Sequence, residues 1–338
     1  MVPSLHDRTM QHPMAANKIR TILVGIAEPE ERLQPAVERA AALALALRAE
    51  LILFHAAFEP YLSGRPFFDS ARLAKSRGEL VAARLALLQK RCKQLQGRGI
   101  VARCAVVWEE PAYAAVLRAA IRDDADLIVI GTHRPRANRT PILKQNDWEL
   151  MRYASRPLLI VRGTGSKRSG PVVAALDPSH VNDKPAALDA ELAKGAHMLA
   201  AGLNAEVHAV HCIANSAYPL GPITVKQRHA AKREARERLD AILARAGVDA
   251  RKIHVLDGLV EEVLPELLEK IHAHTLVLGA LSRRWLQGFV FGNTAERLIY
   301  ETSCDLLIVK PPGFKAKLPR IRRQPIEMPA PRARRAGR

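Results

Sequence analysis

Residues 279–296 read GALSRRWLQGFVFGNTAE, and they follow an apolar run and precede a helical pattern. This order predicts a strand, a loop and a helix. Small residues at Gly279, Ser282 and Gly292 leave room for a phosphate to approach main-chain amides, and glycine also allows a positive φ. Thr294 opens the predicted helix, whose first amides favour an anion. The segment therefore predicts an anion-binding loop.

The same frame occurs twice in the chain. Gly131 lies 31 residues before Arg162, which ends the run LLIVR. Gly279 lies 31 residues before Lys310, which ends the run LLIVK, so both points share an offset of 148 residues. The chain is therefore interpreted as a tandem duplication of a domain of about 145 residues, an ordinary domain size.

The duplication sets the expected domain organisation. The first domain is expected at 18–165 and the second at 166–313. Residues 1–17 lack hydrophobic periodicity and are expected to be a flexible N-terminus. Residues 314–338 are rich in proline and basic side chains, so they cannot bury a core and are expected to be a disordered tail.

Each copy alternates apolar strands with amphipathic helices, which predicts parallel strands joined by right-handed crossovers. The predicted class is α/β: two tandem doubly wound domains, each a five-stranded parallel sheet flanked by helices. Such sheets bind ligands beyond the carboxyl ends of their strands. The predicted strands are 21–27, 51–57, 101–108, 126–130 and 158–161, then 171–177, 205–213, 251–256, 274–279 and 305–310; the predicted helices of the first copy are 34–48, 70–96, 113–122 and 148–153.

Composition limits the functional classes. Of the 338 residues 48% are hydrophobic, enough for two ordinary cores. Aromatic residues make up only 4%, which argues against a base-stacking platform. The four cysteines show neither metal-ligand nor disulfide spacing, so no metal site is predicted. No signal-peptide pattern is visible and no apolar run approaches the roughly 20 residues of a membrane span, so a cytoplasmic protein without a membrane partner is expected.

The net charge of +18 is unevenly distributed. Between Lys315 and Arg338 there are nine basic residues and one acid, Glu327, so the tail carries +8 of the excess. Two interpretations stay open. The tail is either an electrostatic arm for RNA, DNA or an acidic surface, or a solubilising extension.

Asp177 follows the first strand of the second copy. A carboxylate there can accept hydrogen bonds from an adenine amino group or a ribose hydroxyl, or it can cap the helix that follows. Both interpretations stay open. In the first copy the corresponding position is Ala27, with Glu28 next to it.

These residues resemble the universal stress protein family, whose nucleotide-binding members carry G-x2-G-x9-G-[S/T] after the fourth strand and an aspartate after the first. Here the pattern reads Gly279-x2-Ser282-x9-Gly292-Asn293-Thr294, with the spacing kept. Serine replaces the second glycine, and Asn293 precedes the hydroxyl residue. The tandem layout is similar to that of the E-type members, and the resemblance covers the chain outside its two ends.

The resemblance implies an adenine nucleotide alpha hydrolase-like fold. It also implies that the second domain binds ATP or a related adenine nucleotide, with no metal beyond a nucleotide-associated Mg²⁺. Gly258, after the third strand, is implied to let the main chain approach the sugar, and Glu110 takes that place in the first copy. The implied binding residues are Asp177, Gly258, Gly279, Ser282, Gly292, Asn293 and Thr294.

The first copy has lost the small residues of the loop. At an offset of 148, Arg134 stands where Ser282 is, and Lys144 stands where Gly292 is. This copy is therefore expected not to cradle a triphosphate. Its basic loop is interpreted as solvated, with anion attraction as the alternative; the basic residues are Arg134, Arg136, Arg139 and Lys144.

The histidines do not indicate a metal or a catalytic site. His272 and His274 flank the start of a strand without a third ligand. His55 and His211 each end the second strand of their copy, and we expect a neighbouring loop to satisfy both. No nucleophile elbow, Walker lysine, paired-carboxylate motif or HExxH is present. No catalytic residue is predicted, and at most a weak ATPase.

The leading hypothesis is a stress-response regulatory protein that binds an adenine nucleotide in its second domain. The alternative is an interaction protein without a nucleotide, whose basic tail contacts RNA or an acidic partner. The resemblance also implies that the two domains pair through their fifth strands within the chain, and Leu158 to Val161 and Leu306 to Val309 are apolar enough to do so. An intramolecular pseudo-dimer of the two domains is therefore expected, and a homodimer of the whole chain is left open.

Overall fold

The computed structural model describes residues 19–63, 70–132, 143–162, 170–178, 186–213, 224–279, 293–315, 318 and 326–329. Nine elements form domain 1, in which strands and helices alternate. They are β1 Thr21–Gly25, α1 Pro35–Leu47, β2 Glu50–Ala57, α2 Ser70–Gly97, β3 Ala102–Trp108, α3 Ala112–Arg122, β4 Leu127–Gly131, α4 Gln145–Tyr153 and β5 Leu158–Val161, with a 3-10 turn at Pro60–Leu62.

Domain 2 repeats the same series, and a final strand follows it. The elements are β6 Val172–Ala175, α5 Ala186–Leu203, β7 Val207–Ile213, α6 Val225–Ala246, β8 Lys252–Asp257, α7 Val260–Lys270, β9 Thr275–Gly279, α8 Asn293–Glu301, β10 Asp305–Val309 and β11 Ile326–Pro329.

Local sequence explains the ends of the helices. The Oγ1 of Thr224 accepts from the amide of Gln227 at 3.2 Å, and the Gln227 side chain accepts from the amide of Thr224 at 2.8 Å, which starts α6. Gly247, at φ 67°, ends the same helix in the left-handed region. Helix α4 begins at Gln145, three residues earlier than predicted, because Asp147 caps the amide of Lys144.

The sheet confirms the predicted fold class. Its strand order is β11-β3-β2-β1-β4-β5-β10-β9-β6-β7-β8, and within each domain the five strands are parallel. β5 and β10 pair antiparallel, with Leu159 opposite Leu307. The predicted contact between the fifth strands is confirmed, and it joins both domains into one continuous sheet.

Helices cover both faces of this sheet. On one face lie α1, α2, α5 and α6, and on the other lie α3, α4, α7 and α8. α1 and α5 pack against each other across the two domains. A Cβ added to Gly202 of α5 would lie 2.8 Å from the Cδ2 of Leu43 in α1, so glycine allows the close approach of these helices.

The tail differs from its expectation over four residues. Ile326–Pro329 forms β11, which pairs antiparallel with β3, from Ile326 opposite Trp108 to Pro329 opposite Ala105. β3 ends the domain 1 sheet, so its outer main-chain groups offer a partner to an added strand. Ile326–Pro329, which lies in the tail expected to be disordered, is therefore a strand.

No helix of the described residues is both long and apolar enough to cross a bilayer.

Candidate functional site

The carboxyl ends of β6, β8 and β9 meet at one edge of domain 2. Asp177 follows β6, Gly258 follows β8, and Gly279 ends β9. The fold therefore brings three predicted residues to the edge where the strand order reverses between β6 and β9. Asn293 and Thr294 lie in the first turn of α8, which begins one residue before the predicted start. Ser282 and Gly292 lie outside the described residues.

Asp177 is half-buried at this edge. Its main-chain amide donates to the Oδ1 of Asp189 at 3.1 Å. Asp189 is fully buried in the first turn of α5. It was not singled out from the sequence, although a carboxylate in the first turn of a helix is a recognisable feature of a helix start. Within the described residues α5 begins at Ala186, and residues 179–185, which lead from Asp177 into the helix, lie outside them, so the capping interpretation of Asp177 stays open.

Gly258 has a φ of +131°, which side chains rarely adopt. A Cβ there would lie 2.7 Å from the Cγ1 of Val263, so both conformation and space favour glycine. The preceding residue, Asp257, forms an ion pair with Lys232 of α6 at 2.6 Å. The edge at β8 therefore combines a glycine that the main chain requires with a paired carboxylate.

Gly279 has a packing role as well. A Cβ on this residue would lie 2.8 Å from the Cδ2 of Leu188, so the glycine lets α5 approach the end of β9. The equivalent Gly131 of domain 1 has its nearest neighbour, the Cβ of Ala36, at 3.5 Å. The domain 2 glycine is therefore the more tightly packed of the pair.

The histidines at the ends of the second strands bond to neighbouring loops, as predicted. The Nδ1 of His55 donates to the carbonyl oxygen of Ile26 at 2.8 Å. The Nδ1 of His211 donates to that of Leu176 at 3.1 Å. Burial lowers the pKa of His55 below its ordinary value, and the bond to Ile26 opposes this shift. These side chains join the first two strands of each domain.

The same bonds show which residues of the two domains are equivalent. Because Ile26 and Leu176 accept the corresponding bonds, the next residues, Ala27 and Asp177, are equivalent. The loss of this acceptor in domain 1 is as predicted. One residue further on, Glu28 corresponds to Pro178.

Glu109, and not Glu110, is the counterpart of Gly258. The amide of Glu109 donates to the carbonyl oxygen of Ala57 at 3.2 Å. The amide of Gly258 makes the equivalent bond to Ile213 at 3.1 Å. The prediction of Glu110 was wrong because it used an offset of 148 residues between the two domains. That offset holds at the fourth and fifth strands, whereas strand pairing gives an offset of 149 residues at the third strand.

In domain 1, ionic side chains occupy the corresponding edge near α4. The Nζ of Lys144 lies 3.5 Å from the Oε1 of Glu28. The main-chain amide of Lys144 donates to the Oδ2 of Asp147 at 2.8 Å. A carboxylate of the chain itself thus caps the start of α4, where an anion would otherwise bind.

A second ion pair fills the end of β3 in domain 1. Glu109 is buried and pairs with Arg118 of α3. Burial lowers the pKa of the Arg118 guanidinium below its ordinary value. Domain 1 thus has a buried carboxylate and its ion-pair partner at the position where domain 2 has Gly258. Arg134, Arg136 and Arg139 of the basic loop lie outside the described residues.

Domain 2 lacks all four of these charged side chains at the equivalent positions. Gly292 precedes α8 as Lys144 precedes α4, and Ala295 is the third residue of α8 as Asp147 is the third of α4. The charged side chains that close the edge of domain 1 are thus absent at the equivalent positions of domain 2. The replaced residues are Glu28, Glu109, Lys144 and Asp147, and their counterparts are Pro178, Gly258, Gly292 and Ala295.

Both ring nitrogens of His274 have partners within the chain. The Nδ1 of His274 is hydrogen-bonded to the Oγ1 of Thr275 at 2.7 Å, and its other nitrogen contacts Arg39. His272 lies in the turn after α7 at φ 51°. Among the described residues, no cluster of three histidine, cysteine or carboxylate side chains has metal-binding geometry.

Comparison with known proteins agrees with this architecture. The model of the Universal stress protein family matches residues 18–162 and 171–310. Universal stress protein E of Photorhabdus laumondii is 26% identical over 308 residues, which are 88% of this chain and 96% of that protein. Universal stress protein E of Escherichia coli K12 is 25% identical over 301 residues, 86% of this chain and 94% of that protein.

Solved structures show the same fold. A universal stress protein structure from Pseudomonas aeruginosa has a TM-score of 0.65 at 22% identity and covers 87% of this chain and 94% of its own. A universal stress protein from Archaeoglobus fulgidus has a TM-score of 0.58 at 14% identity and covers 85% of this chain and 98% of its own. The chain belongs to the universal stress protein family and carries two of its domains in tandem, in the arrangement of the E-type members.

Proposed function

We propose that domain 2 binds an adenine nucleotide, ATP or a relative of it, at the edge formed by β6, β8 and β9. Domain 1 acts as a structural partner, and the chain serves as a cytoplasmic regulator of the stress response. One observation carries this proposal. The four charged side chains that close the edge of domain 1 are replaced by Pro178, Gly258, Gly292 and Ala295 in domain 2.

The start of α8 is the expected phosphate site. Unpaired amides at the start of a helix favour an anion. In α4 the carboxylate of Asp147 satisfies one such amide. In α8 the equivalent residue is Ala295, which cannot accept a hydrogen bond through its side chain. A phosphate group therefore has less competition from the chain at α8 than at α4.

The remaining predicted residues have separate roles in this proposal. Asp177 accepts from the adenine or the ribose, and Gly258 lets the main chain approach the sugar. Ser282 and Gly292 line the phosphate loop with Gly279, while Asn293 and Thr294 add polar groups at the helix start. A metal enters only as Mg²⁺ carried by the nucleotide. The roles are those of a binding protein, with ATP hydrolysis slow at most.

Titration calorimetry of the full chain with Mg-ATP tests the proposal. Ala295→Asp rebuilds the domain 1 cap in domain 2, and we expect it to weaken binding roughly tenfold, a loss of about 1.4 kcal/mol. Asp147→Ala is the matched control: it removes the cap of α4 and leaves affinity within roughly twofold. Asp177→Ala is expected to weaken ATP more than inorganic triphosphate, because triphosphate lacks the base and the sugar.

Three results would contradict the proposal. The first is the absence of a binding heat when the wild-type chain is titrated with adenine nucleotides. The second is an Asp147→Ala variant that binds as weakly as Ala295→Asp. The third is an Asp177→Ala variant with unchanged affinity for ATP.

A further inference from the structure

Most of the net positive charge of the chain lies in two segments. α2 contains seven basic residues and one acid. The tail from Lys315 to Arg338 contains nine basic residues and one acid. Together they carry +14 of the net +18, although they make up a small part of the chain. The charge is therefore concentrated rather than spread over the whole surface.

Four basic side chains of α2 share one exposed face. Arg72 and Lys75 form one pair and Lys90 and Lys93 form another, and all four are exposed. The pairs are 18 residues apart, about five helical turns and about 27 Å, so they point to the same side of the helix. None of the four is within ion-pair distance of a carboxylate in the part of the chain described. Glu79 is the acid on this face.

The other basic side chains of α2 hold the helix to domain 1. Arg77 lies over the ring of Trp108, with its guanidinium carbon 5.5 Å from the ring centre. Arg84 forms an ion pair with Glu30. The apolar side of α2 is buried against the sheet. The outer face therefore carries two pairs of cations, and Leu87 is the large apolar side chain exposed beside them, which is too little apolar surface to insert into a membrane.

β11, the strand within the tail, lies beside α2. β11 pairs with β3 and contacts α2. Because β11 runs antiparallel to β3, it leads from Trp108 toward the amino end of β3. The C-terminal end of α2 lies at that same amino end, where the Nε2 of Gln96 donates to the carbonyl oxygen of Ala102 at 2.9 Å. Nine residues with four arginines follow Pro329 in the sequence.

We infer that the outer face of α2 is a binding surface for the sugar-phosphate backbone of a double-helical nucleic acid, and that the charge of the basic tail strengthens this binding. A small anion cannot span two cation pairs about 27 Å apart, whereas a duplex carries a phosphate for about every 1.7 Å of its axis. The surface has no aromatic anchors of the kind that dominate protein interfaces. Binding is therefore electrostatic and independent of sequence. It does not depend on a nucleotide in domain 2.

Fluorescence anisotropy with a labelled RNA duplex of about 20 base pairs tests this inference on the full chain, titrated with KCl. One variant replaces Arg72, Lys75, Lys90 and Lys93 by glutamine. Its matched control replaces Lys226, Arg228, Arg233 and Arg236 by glutamine; these are exposed on α6, so the change of net charge is the same. A third variant ends at Pro329. Circular dichroism checks that all of them fold.

We expect the α2 variant to lose roughly tenfold or more in affinity, and the slope of log K against log salt to fall by roughly 3. The α6 variant should stay within about threefold of wild type, and the truncation should weaken binding as well. Absence of binding by wild type at low salt would overturn the inference. Equal losses in the α2 and α6 variants would do the same, since they would show an effect of net charge alone. Displacement by polyglutamate at the same charge concentration as duplex would assign the surface to an acidic protein.

Discussion

The main-chain amide of Arg162 donates to the Oδ1 of Asp305 at 2.9 Å, and this bond crosses from the end of β5 to the start of β10. The other oxygen of Asp305 lies 3.2 Å from the Nε of Arg39 in α1. The Arg162 guanidinium donates to the carbonyl oxygens of Ile299 and Thr302 at the end of α8. One buried network thus ties domain 1 to the helix that begins at the candidate phosphate loop.

Replacement of Asp305 by alanine should destabilise this junction strongly. Asp305 is only 3% exposed, and its loss leaves the Arg39 guanidinium without its ion-pair partner. Removal of one partner from a buried pair costs about 3 kcal/mol or more in the free energy of unfolding. Urea unfolding of the full chain measures the loss. Glu234→Gln breaks the exposed pair with Arg238 on α6 and should cost less than about 0.5 kcal/mol. Similar losses in the two variants would contradict the prediction.

Gly258→Ala should destabilise domain 2 by about 1 to 3 kcal/mol. The residue has a φ of +131°, and the added Cβ would lie 2.7 Å from Val263. Gly97→Ala is the control, because a Cβ there meets nothing within 4 Å and Gly97 ends α2 without a positive φ. Thermal unfolding compares the two variants. A tolerated Gly258→Ala would show that the glycine is not required by the main chain.

The repeated frame made the fold predictable from the sequence. Runs such as Leu158 to Val161 contain apolar residues on both faces, which is typical of buried parallel strands, and the duplication fixed the number of strands. The contact between the fifth strands followed from the resemblance to the family, with which these apolar runs are compatible. The boundaries of α4 were less predictable, because the cap by Asp147 adds a turn before the apolar pattern begins.

The closed edge of domain 1 could not be predicted in the same way. The pair of Lys144 with Glu28 joins residues 116 positions apart, and no local pattern links them. The predicted counterpart of Gly258 was one position away from the observed one, Glu109. The reason is that the sequence offset between the two repeats changes between the third and fourth strands. β11 was missed because a proline-rich basic segment resembles a disordered one until an open strand edge is available.

The pair of His208 and His254 should make the protein less stable in mild acid. The Nε2 of His254 lies 3.2 Å from the Nδ1 of His208. Burial lowers both pKa values below 6.5; the proximity of His208 lowers that of His254 further, whereas Glu206 opposes the shift at His208. The unfolded chain therefore binds more protons below pH 6.5, so this contribution is complete above that pH and falls as the pH drops toward the folded pKa values.

Replacement of both histidines by glutamine should flatten this dependence. Melting temperatures between about pH 5 and about pH 8 measure it, and the variant should lose less stability on acidification than wild type. His229→Gln, on the exposed first turns of α6, is the control and should follow the wild-type curve. A double variant with the wild-type acid dependence would contradict the assignment.

Lys310→Met should stabilise the protein at neutral pH. Lys310 is buried at the end of β10, and burial, with a smaller effect of Arg152, lowers its pKa from 10.5 to about 6. At pH 7 the folded side chain is therefore neutral while the unfolded one is charged, so folding releases a proton. The free energy of unfolding therefore rises with pH between about 6 and 10.5. Methionine removes this pH dependence, and it also removes the free energy needed to deprotonate the lysine on folding at pH 7. A gain on the order of 2 kcal/mol is expected from urea unfolding at pH 7, and it should shrink toward pH 10. Lys270→Met, at an exposed helix end, should change neither quantity. A Lys310→Met variant that is less stable than wild type at pH 7 would show that the ammonium form is retained in the folded chain.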